Sequence, residues 1–264
     1  MNDKTLSGWA LILGASSGFG AASCRALAAA GMDIAGVHLD TRATLPRVQD
    51  VIHDVEAQGQ KALFFNVNAA DECKRQKVLD ELLGEAGPGS VKLVLHSLAF
   101  GSLLPLVAAG PGESLTKAQM EMTLDVMAHS LVYWTQDLVW RDLLAGDARV
   151  YAMTSAGSHR AFPSYGAVGA AKAALESHIR YLALELAPRN IKFNAIQAGI
   201  TDTPALRQIP GHESAIRQAL KRHPYGRMTE PEDVARALVA LSAPGCSWMT
   251  GQVIRVDGGE DNVA

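Results

Sequence analysis

Short apolar runs alternate with longer amphipathic segments along almost the whole chain. Apolar residues recur at helical spacing in the longer segments, which predicts helices at 21–30, 44–58, 70–84, 116–146, 164–186 and 231–242. The short runs predict seven strands, at residues 9–13, 34–39, 62–66, 91–95, 149–153, 191–196 and 252–256. Strands that alternate with helices indicate an α/β fold with a single doubly wound parallel sheet and helices on both faces.

A glycine-rich turn follows the first predicted strand and leads into an alanine-rich helix. Glycines at such a junction let the backbone approach a pyrophosphate, and the helix N-terminus favours negative charge. The spacing therefore predicts a dinucleotide site, with a simple tight connection as the alternative. The candidate cofactor-binding residues of this turn are Gly14, Ser16, Ser17, Gly18, Phe19 and Gly20.

The end of the second strand is where the ribose of a dinucleotide is recognised in this kind of βαβ unit. His38 lies there, followed by Asp40, which would repel a 2′-phosphate, and Arg42, which would attract one. The sequence thus leaves the choice between NADH and NADPH open. At the tip of the third strand, Asn66 and Val67 are candidates to hold an adenine edge, and a turn-forming role is the alternative for Asn66.

Polar residues also follow the fourth and fifth strands. His96 and Ser97 end the fourth strand, and Thr154 and Ser155 end the fifth. Ligands of open parallel sheets bind in the crevice outside the carboxyl ends of the strands, so we expect these residues at one edge. His96 is either a wall of that crevice or a structural histidine of the core, and we favour the structural role.

The predicted helix 164–186 carries the candidate catalytic pair, Tyr165 and Lys172. The two residues are two helical turns apart, so their side chains project from nearly the same face. A positive charge beside a phenol stabilises the phenolate and makes the phenol a better proton donor. The sequence therefore predicts that Lys172 lowers the pKa of Tyr165. The alternative is an ordinary half-buried aromatic and a solvated lysine.

Composition narrows the class of protein further. The formal net charge of −3 and the pI near 6.2 argue against nucleic acid as a partner. Cys24, Cys73 and Cys246 are odd in number and lack metal-like spacing, which predicts reduced thiols, no metal site and a cytoplasmic location. No basic segment leads into an apolar run, and no stretch reaches transmembrane length, so no membrane partner is predicted. The Pro- and Gly-punctuated segment 204–224 is predicted to be a substrate lid.

Three motifs in order, Gly14-x-x-x-Gly18-x-Gly20, the Tyr165 and Lys172 pair, and the closing Asp257-Gly258-Gly259, resemble the short-chain dehydrogenases/reductases. The resemblance covers essentially the full length and implies a single Rossmann-like NAD(P)-binding domain over residues 1–264. Most members of that family carry a catalytic Asn, and a catalytic Tyr that is separated from its Lys by three residues. In this chain those two positions are Met127 and Val168.

These departures resemble the enoyl-acyl-carrier-protein reductases, which have the longer Tyr-to-Lys spacing and a turn like His96-Ser97-Leu98-Ala99-Phe100. The resemblance implies that NADH or NADPH reduces a trans-2-enoyl thioester on acyl carrier protein, in fatty-acid synthesis. It also implies that Tyr165 stabilises the enolate and that Lys172 binds the nicotinamide ribose. Many such reductases carry a second aromatic hydroxyl where this chain has Ser155. Further implied cofactor-binding residues are Ser97, Ala99, Gly199, Ile200 and Thr203.

Helix geometry also favours reduction of an enoyl thioester, because three residues along a helix correspond to about 4.5 Å. A phenol shifted by that distance would reach the thioester oxygen of an enoyl substrate. That oxygen is further from the hydride-accepting carbon than the oxygen of a ketone is. The first alternative is a carbonyl reductase or alcohol dehydrogenase that polarises a ketone with Ser155 and Tyr165, and the second is a nucleotide sensor without chemistry. The family also implies a homotetramer or homodimer. Four basic residues near the lid, Arg207, Lys221, Arg222 and Arg227, are candidates to dock an acidic carrier protein, unless they form a solvated surface.

Overall fold

Seven parallel strands form one sheet in the order β3-β2-β1-β4-β5-β6-β7. The structure is a computed structural model that describes residues 5–110 and 112–263, with the backbone alone for Arg222. The strands are β1 (Trp9–Leu13), β2 (Asp33–His38), β3 (Ala62–Asn66), β4 (Val91–His96), β5 (Leu144–Thr154), β6 (Lys192–Ala198) and β7 (Val253–Val256). The predicted doubly wound α/β fold is confirmed.

Helices connect the strands and cover both faces of the sheet. They are α1 (Gly18–Ala29), α2 (Leu45–Ala57), α3 (Glu72–Ala86), α4 (Lys117–Leu124), α5 (Ser130–Trp140), α6 (Gly166–Glu185), α7 (His212–Arg222) and α8 (Pro231–Leu241). None of the helices within the described residues is long and apolar enough to cross a membrane.

The central strand β1 shows why this sheet lies between two helical layers. Leu11 and Leu13 belong to one apolar cluster, together with Leu175 and Ile179 of α6. Ile12 belongs to the cluster on the other face. Because successive side chains point to opposite faces, a strand that is apolar at every position must be covered on both sides.

The chain reverses its direction of travel across the sheet between β3 and β4. Strands β1, β2 and β3 are laid down toward one edge, and the chain then returns to place β4 on the other side of β1. The connections after β1 and β4 therefore diverge and leave a crevice at the carboxyl ends of these strands. Two of the predicted cofactor residues, Gly14 and Ser97, directly follow β1 and β4 at this crevice.

The predicted helix over 116–146 is confirmed as far as Trp140 and is wrong beyond that residue. A π-helical turn at Asp125–His129 separates α4 from α5, and α5 ends at Trp140. Asp142 has a left-handed φ of 54°, which ends the helix, and Leu144 pairs with Val91 at the start of β5. Pairing with the neighbouring strand β4 thus decides the conformation of the residues after position 142.

Segment 204–224 contains a 3-10 turn at Leu206–Gln208 and helix α7. No helix was predicted for this segment from the sequence. The role of this segment as a lid stays a prediction.

Candidate active site

The glycine-rich turn closes so tightly that it requires glycine at two positions. Gly14 has φ +94°, and a Cβ there would lie 2.5 Å from the carbonyl oxygen of Ser97 on the neighbouring strand. A Cβ on Gly20 would overlap the carbonyl oxygen of Gly14. Helix α1 begins at Gly18, and the first N–H groups of a helix have no partner within it. The turn therefore fits a pyrophosphate, as in dinucleotide-binding βαβ units.

The loop after β6 lies against this turn. A Cβ on Gly18 would lie 3.2 Å from the Thr203 methyl carbon, so two predicted cofactor residues from distant parts of the chain meet here. The N–H of Ile200 donates to Glu260 Oε2 at 2.8 Å, and a Cβ on Gly199 would overlap the Thr229 hydroxyl. Glu260 lies in no recognisable sequence motif and was not among the predicted site residues. Contacts of Gly199, Ile200 and Thr203 with a cofactor stay predictions.

Asp40 is held beside the glycine-rich turn. Its side chain is 11% exposed, and Oδ2 lies 3.0 Å from Nδ1 of His38. Burial acts to raise the pKa of Asp40, but hydrogen bonds from Thr44, Ser16 and His38 outweigh burial, so the pKa lies below its ordinary value. A carboxylate is therefore fixed at the place where the ribose of a dinucleotide is recognised. Arg42 is exposed.

Asn66 fixes the loop that carries Asp40. The Asp40 N–H donates to Asn66 Oδ1 at 2.9 Å, and Asn66 Nδ2 donates to the Asp40 carbonyl at 2.9 Å. Val67 N donates to the His38 carbonyl at 2.8 Å. Both groups of the Asn66 amide are thus used within the protein, and an adenine contact by Asn66 or Val67 stays a prediction.

Tyr165 lies at the N-terminus of α6 and is half-buried. Its hydroxyl is 3.4 Å from Ser155 Oγ, which also accepts the N–H of Gly157 at 2.9 Å. The Phe162 ring packs edge-on against the Tyr165 ring, with centroids 6.0 Å apart. A Cβ on Gly157 would overlap the Tyr165 ring, so glycine lets this loop lie against the phenol. The structure brings together Ser155 and Tyr165, as the sequence predicted for one edge.

Lys172 is buried, which rules out the solvated lysine considered as an alternative. Its side chain is 5% exposed, and Nζ donates to the Met153 carbonyl at 2.7 Å. Burial lowers the pKa of Lys172 from 10.5 to about 8, and the negative charge of Glu176 opposes this change.

The prediction that Lys172 lowers the pKa of Tyr165 is wrong in this structure. Burial raises the pKa of Tyr165, and the opposing contribution comes from the hydrogen bond with Ser155. The Lys172 ammonium is instead directed to the end of β5. Tyr165 is therefore a protonated hydrogen-bond donor at neutral pH.

His96 lies in the core and not on the wall of the crevice. It is fully buried, and Nε2 lies 2.8 Å from the hydroxyl of Ser130, which donates to the Val126 carbonyl at 2.7 Å. The hydroxyl proton is thus used, so Nε2 is the donor to Ser130. Nδ1 has no hydrogen-bond partner among the described residues. Burial and the charge of Lys172 lower the pKa of His96 to about 3, so the ring is uncharged.

Met127 and Val168 replace the usual polar pair with apolar contacts. Both residues are buried, and a Cβ on Gly101 would lie 3.0 Å from Met127 Sδ and 3.1 Å from Val168 Cγ2. The positions that the resemblance aligns with the common catalytic Asn and Tyr thus converge on one apolar spot. Tyr165 and Ser155 are the hydroxyls available at this edge instead. Ser97 is half-buried and Ala99 is exposed.

Two of the basic residues near the lid are neutralised within the chain. Arg207 forms two hydrogen bonds of 2.8 Å with Asp202, and Arg227 bonds Asp233 at 2.6 and 3.0 Å. Lys221 is exposed, and the side chain of Arg222 lies outside the described residues. In residues 5–110 and 112–263, no group of three or more His, Cys, Asp or Glu is arranged to hold a metal ion.

Comparison with known proteins places these motifs in a family. The sequence model of the family described as "Enoyl-(Acyl carrier protein) reductase" matches residues 14–260. The enoyl-[acyl-carrier-protein] reductase [NADH] of Aquifex aeolicus is 30% identical over 65% of this chain and 62% of its own length. The match therefore spans less than two thirds of that reductase. A crystal structure of an enoyl-[acyl-carrier-protein] reductase (NADH) from the same organism has a TM-score of 0.83 at 24% identity, with 96% of each chain covered, which shows the fold.

Two relatives match over nearly the full length. The 1-cyclohexenylcarbonyl-CoA reductase of Streptomyces collinus is 28% identical over 96% of this chain and 87% of its own length. The cis-4-hydroxycyclohexanecarboxylate dehydrogenase of Sinomonas cyclohexanicum is 31% identical over 95% of both chains. The similar proteins thus include enzymes named for C=C reduction and one named for alcohol oxidation.

Proposed function

Because the chain belongs to the short-chain dehydrogenase/reductase family and resembles its enoyl-acyl-carrier-protein reductases, we propose that it reduces the double bond of a trans-2-enoyl thioester with NADH or NADPH. The observation that carries this proposal is the position of the phenol. Tyr165 stands at the start of α6 beside the crevice, and Val168, at the usual tyrosine position, is buried against Met127.

The chain's own residues supply binding and polarisation. When bound, the reduced nicotinamide supplies the hydride that reaches the β-carbon. Tyr165, protonated at neutral pH, donates a hydrogen bond to the thioester oxygen as negative charge develops there, and the α-carbon of the enolate then takes up a proton from solvent. Ser155 orients the Tyr165 hydroxyl, and Lys172 holds the nicotinamide ribose.

The acyl part of the substrate is apolar in this proposal. Phe100, Leu106 and Val107 are 62%, 56% and 87% exposed in the segment between β4 and α4. A Cβ on Gly166, next to Tyr165, would lie 2.7 Å from Leu106 Cγ. Exposed apolar side chains beside a candidate catalytic group are typical of a site for an apolar ligand.

Asp40 supports NADH as the preferred cofactor. Its carboxylate lies 3.0 Å from the His38 ring and its pKa is lowered, whereas Arg42 is exposed. A 2′-phosphate placed near this carboxylate would be repelled, while a ribose hydroxyl would donate to it.

The carrier of the acyl group is either acyl carrier protein or coenzyme A. The ion pairs of Arg207 and Arg227 reduce the free positive charge near the lid, which counts against docking of an acidic protein there. The relatives also differ in their carrier. The Aquifex aeolicus reductase is named for an acyl-carrier-protein substrate, and the Streptomyces collinus reductase is named for a CoA ester. A homotetramer or homodimer in the cytoplasm remains part of the proposal.

A second function, oxidation or reduction at a CH–OH or C=O carbon, is favoured by one observation. The hydroxyls of Ser155 and Tyr165 lie 3.4 Å apart, and such a pair can polarise a carbonyl. The relative that is 31% identical is named as a dehydrogenase of a hydroxycyclohexanecarboxylate.

A substrate comparison tests both functions. NADH and NADPH oxidation is followed with crotonyl and cyclohexenylcarbonyl thioesters, on coenzyme A and on acyl carrier protein, and with acetoacetyl thioesters. NAD⁺ reduction is followed with cis-4-hydroxycyclohexanecarboxylate. Turnover of the enoyl thioesters well above the other substrates supports the first proposal. Turnover of ketone or alcohol with inert enoyl thioesters would refute it in favour of the second.

A further inference from the structure

Lys172 and Glu176 are anchored to the same strand end. Nζ of Lys172 donates to the Met153 carbonyl at 2.7 Å, and the hydroxyl of Thr154 donates to Glu176 Oε1 at 2.6 Å. Met153 and Thr154 are consecutive residues at the end of β5. Lys172 and Glu176 are four apart on α6, so they are neighbours on one helix face. The carboxylate of Glu176 is therefore held one helical turn from Lys172.

A buried ammonium needs a compensating partner, because burial disfavours the charged form. The side chain of Lys172 is 5% exposed, and the Met153 carbonyl accepts only one of its three N–H donors. Burial is the main cause that lowers the pKa of Lys172, and Glu176 opposes it.

The other titratable neighbours add no negative charge at neutral pH. His96 of β4 is sensitive to the charge of Lys172, but it is uncharged. Tyr165, at the start of the same helix, is protonated because burial raises its pKa. Among the described residues, Glu176 is thus the anion that acts on Lys172.

Glu176 also reaches solvent. It lines a cavity of about 550 Å³ together with His159, Gln197, Val253 and Arg255. A carboxylate that lies between this cavity and Lys172 is hydrated on one side while it acts on the ammonium on the other. The carboxylate therefore does not have to be fully desolvated in order to act on the ammonium.

We propose that Thr154 and Glu176 form a positioning pair that keeps the Lys172 side chain charged at neutral pH. Thr154 fixes the carboxylate, and the carboxylate holds the proton on Lys172. The consequence for cofactor binding rests on the proposed function, in which Lys172 holds the nicotinamide ribose. The effect on the proton of Lys172 does not depend on that function.

The test measures the titration of Lys172 directly. The protein without cofactor is labelled with a trace of acetic anhydride from pH 6 to 10, and the modification of Lys172 is followed by mass spectrometry. Glu176→Gln removes the charge and keeps an acceptor for Thr154. We expect its labelling midpoint to fall by about one pH unit. Glu185→Gln, an exposed position on the same helix, is the matched control and should leave the midpoint unchanged.

Two substitutions at Thr154 provide a test that does not remove the charge. Thr154→Val loses the hydroxyl and should shift the midpoint in the same direction by a smaller amount, whereas Thr154→Ser keeps the hydroxyl and should restore it. In Glu176→Gln, the dissociation constant for NADH should also begin to rise at a correspondingly lower pH.

An unchanged labelling midpoint in Glu176→Gln overturns the positioning role. If that variant does not fold, equal midpoints in Thr154→Val and Thr154→Ser overturn it. Failure of the proposed function has a different outcome, since enoyl thioesters would then be inert with the wild-type protein although the labelling midpoints still shift.

Discussion

Replacing Lys172 with Met should stabilise the fold at neutral pH while it removes a residue needed for function. The folded protein lowers the pKa of Lys172 from 10.5 to about 8 because the side chain is buried. Each pKa unit corresponds to about 1.4 kcal/mol, so keeping the ammonium in the fold costs about 3 kcal/mol of unfolding free energy. Methionine has a similar length and carries no charge. Loss of the bond to Met153 and of a partner for Glu176 will reduce the gain.

The sign of the pH dependence follows from proton binding. Between about pH 8 and 10.5 the unfolded chain holds the Lys172 proton more tightly than the folded chain. The stability of the wild-type protein should therefore increase with pH across this window through Lys172, and the cost should be constant below pH 8. In Lys172→Met this contribution is absent.

Urea unfolding of both proteins at several pH values from 7 to 10.5 measures the effect. The variant should be the more stable protein at pH 7, by up to about 3 kcal/mol, and its advantage should shrink as the pH approaches 10.5. Comparison of the two proteins removes contributions that they share, such as Cys24, whose pKa is raised to about 12 by burial. A difference in stability that is the same at every pH would contradict the reasoning.

Three further predictions concern cofactor and substrate. Tyr165→Phe should lower kcat by about 10²–10³ and leave the Kd for NADH nearly unchanged, because the hydroxyl acts mainly in the transition state; equal turnover in the variant would remove Tyr165 from the mechanism. Asp40→Ala should narrow the preference for NADH over NADPH by about tenfold or more, measured as the ratio of the two Kd values, since a fixed anion no longer repels the 2′-phosphate. An unchanged ratio would exclude Asp40 from the choice. Ser155→Ala should reduce enoyl thioester turnover less than Tyr165→Phe does, and a larger loss would favour the carbonyl-reductase alternative.

The order of strands and helices was predictable because it depends on local patterns. Buried strands such as β1 read as continuous apolar runs, and helices such as α6 repeat their apolar residues with the helical period. The glycine-rich turn was predictable for a related reason, since Gly14 and Gly20 occupy positions where a Cβ would overlap backbone atoms. The positions of Ser97 and Ser155 at the carboxyl edge of the sheet were predictable too, because each residue follows directly after a strand.

The features that could not be predicted depend on contacts between distant parts of the chain and on the removal of water from side chains. Leu144 was predicted to be helical, but it lies in a strand because it pairs with Val91 of the neighbouring strand. Glu260 reaches the N–H of Ile200 across 60 residues of sequence, a contact that no local pattern encodes.

The protonation of the site residues most clearly separates what the sequence determines from what the tertiary structure determines. The sequence placed Tyr165 and Lys172 on one helix face, yet only the tertiary structure determined that burial raises the pKa of one and lowers that of the other. Ser16 of the glycine-rich turn likewise acts together with the sequence neighbours His38 and Thr44 to lower the pKa of Asp40, a contact that only the tertiary structure brings about. Spacing along a helix determines the direction in which a side chain projects. The pKa of that side chain depends on desolvation and hydrogen bonding, and therefore on all the groups packed around it.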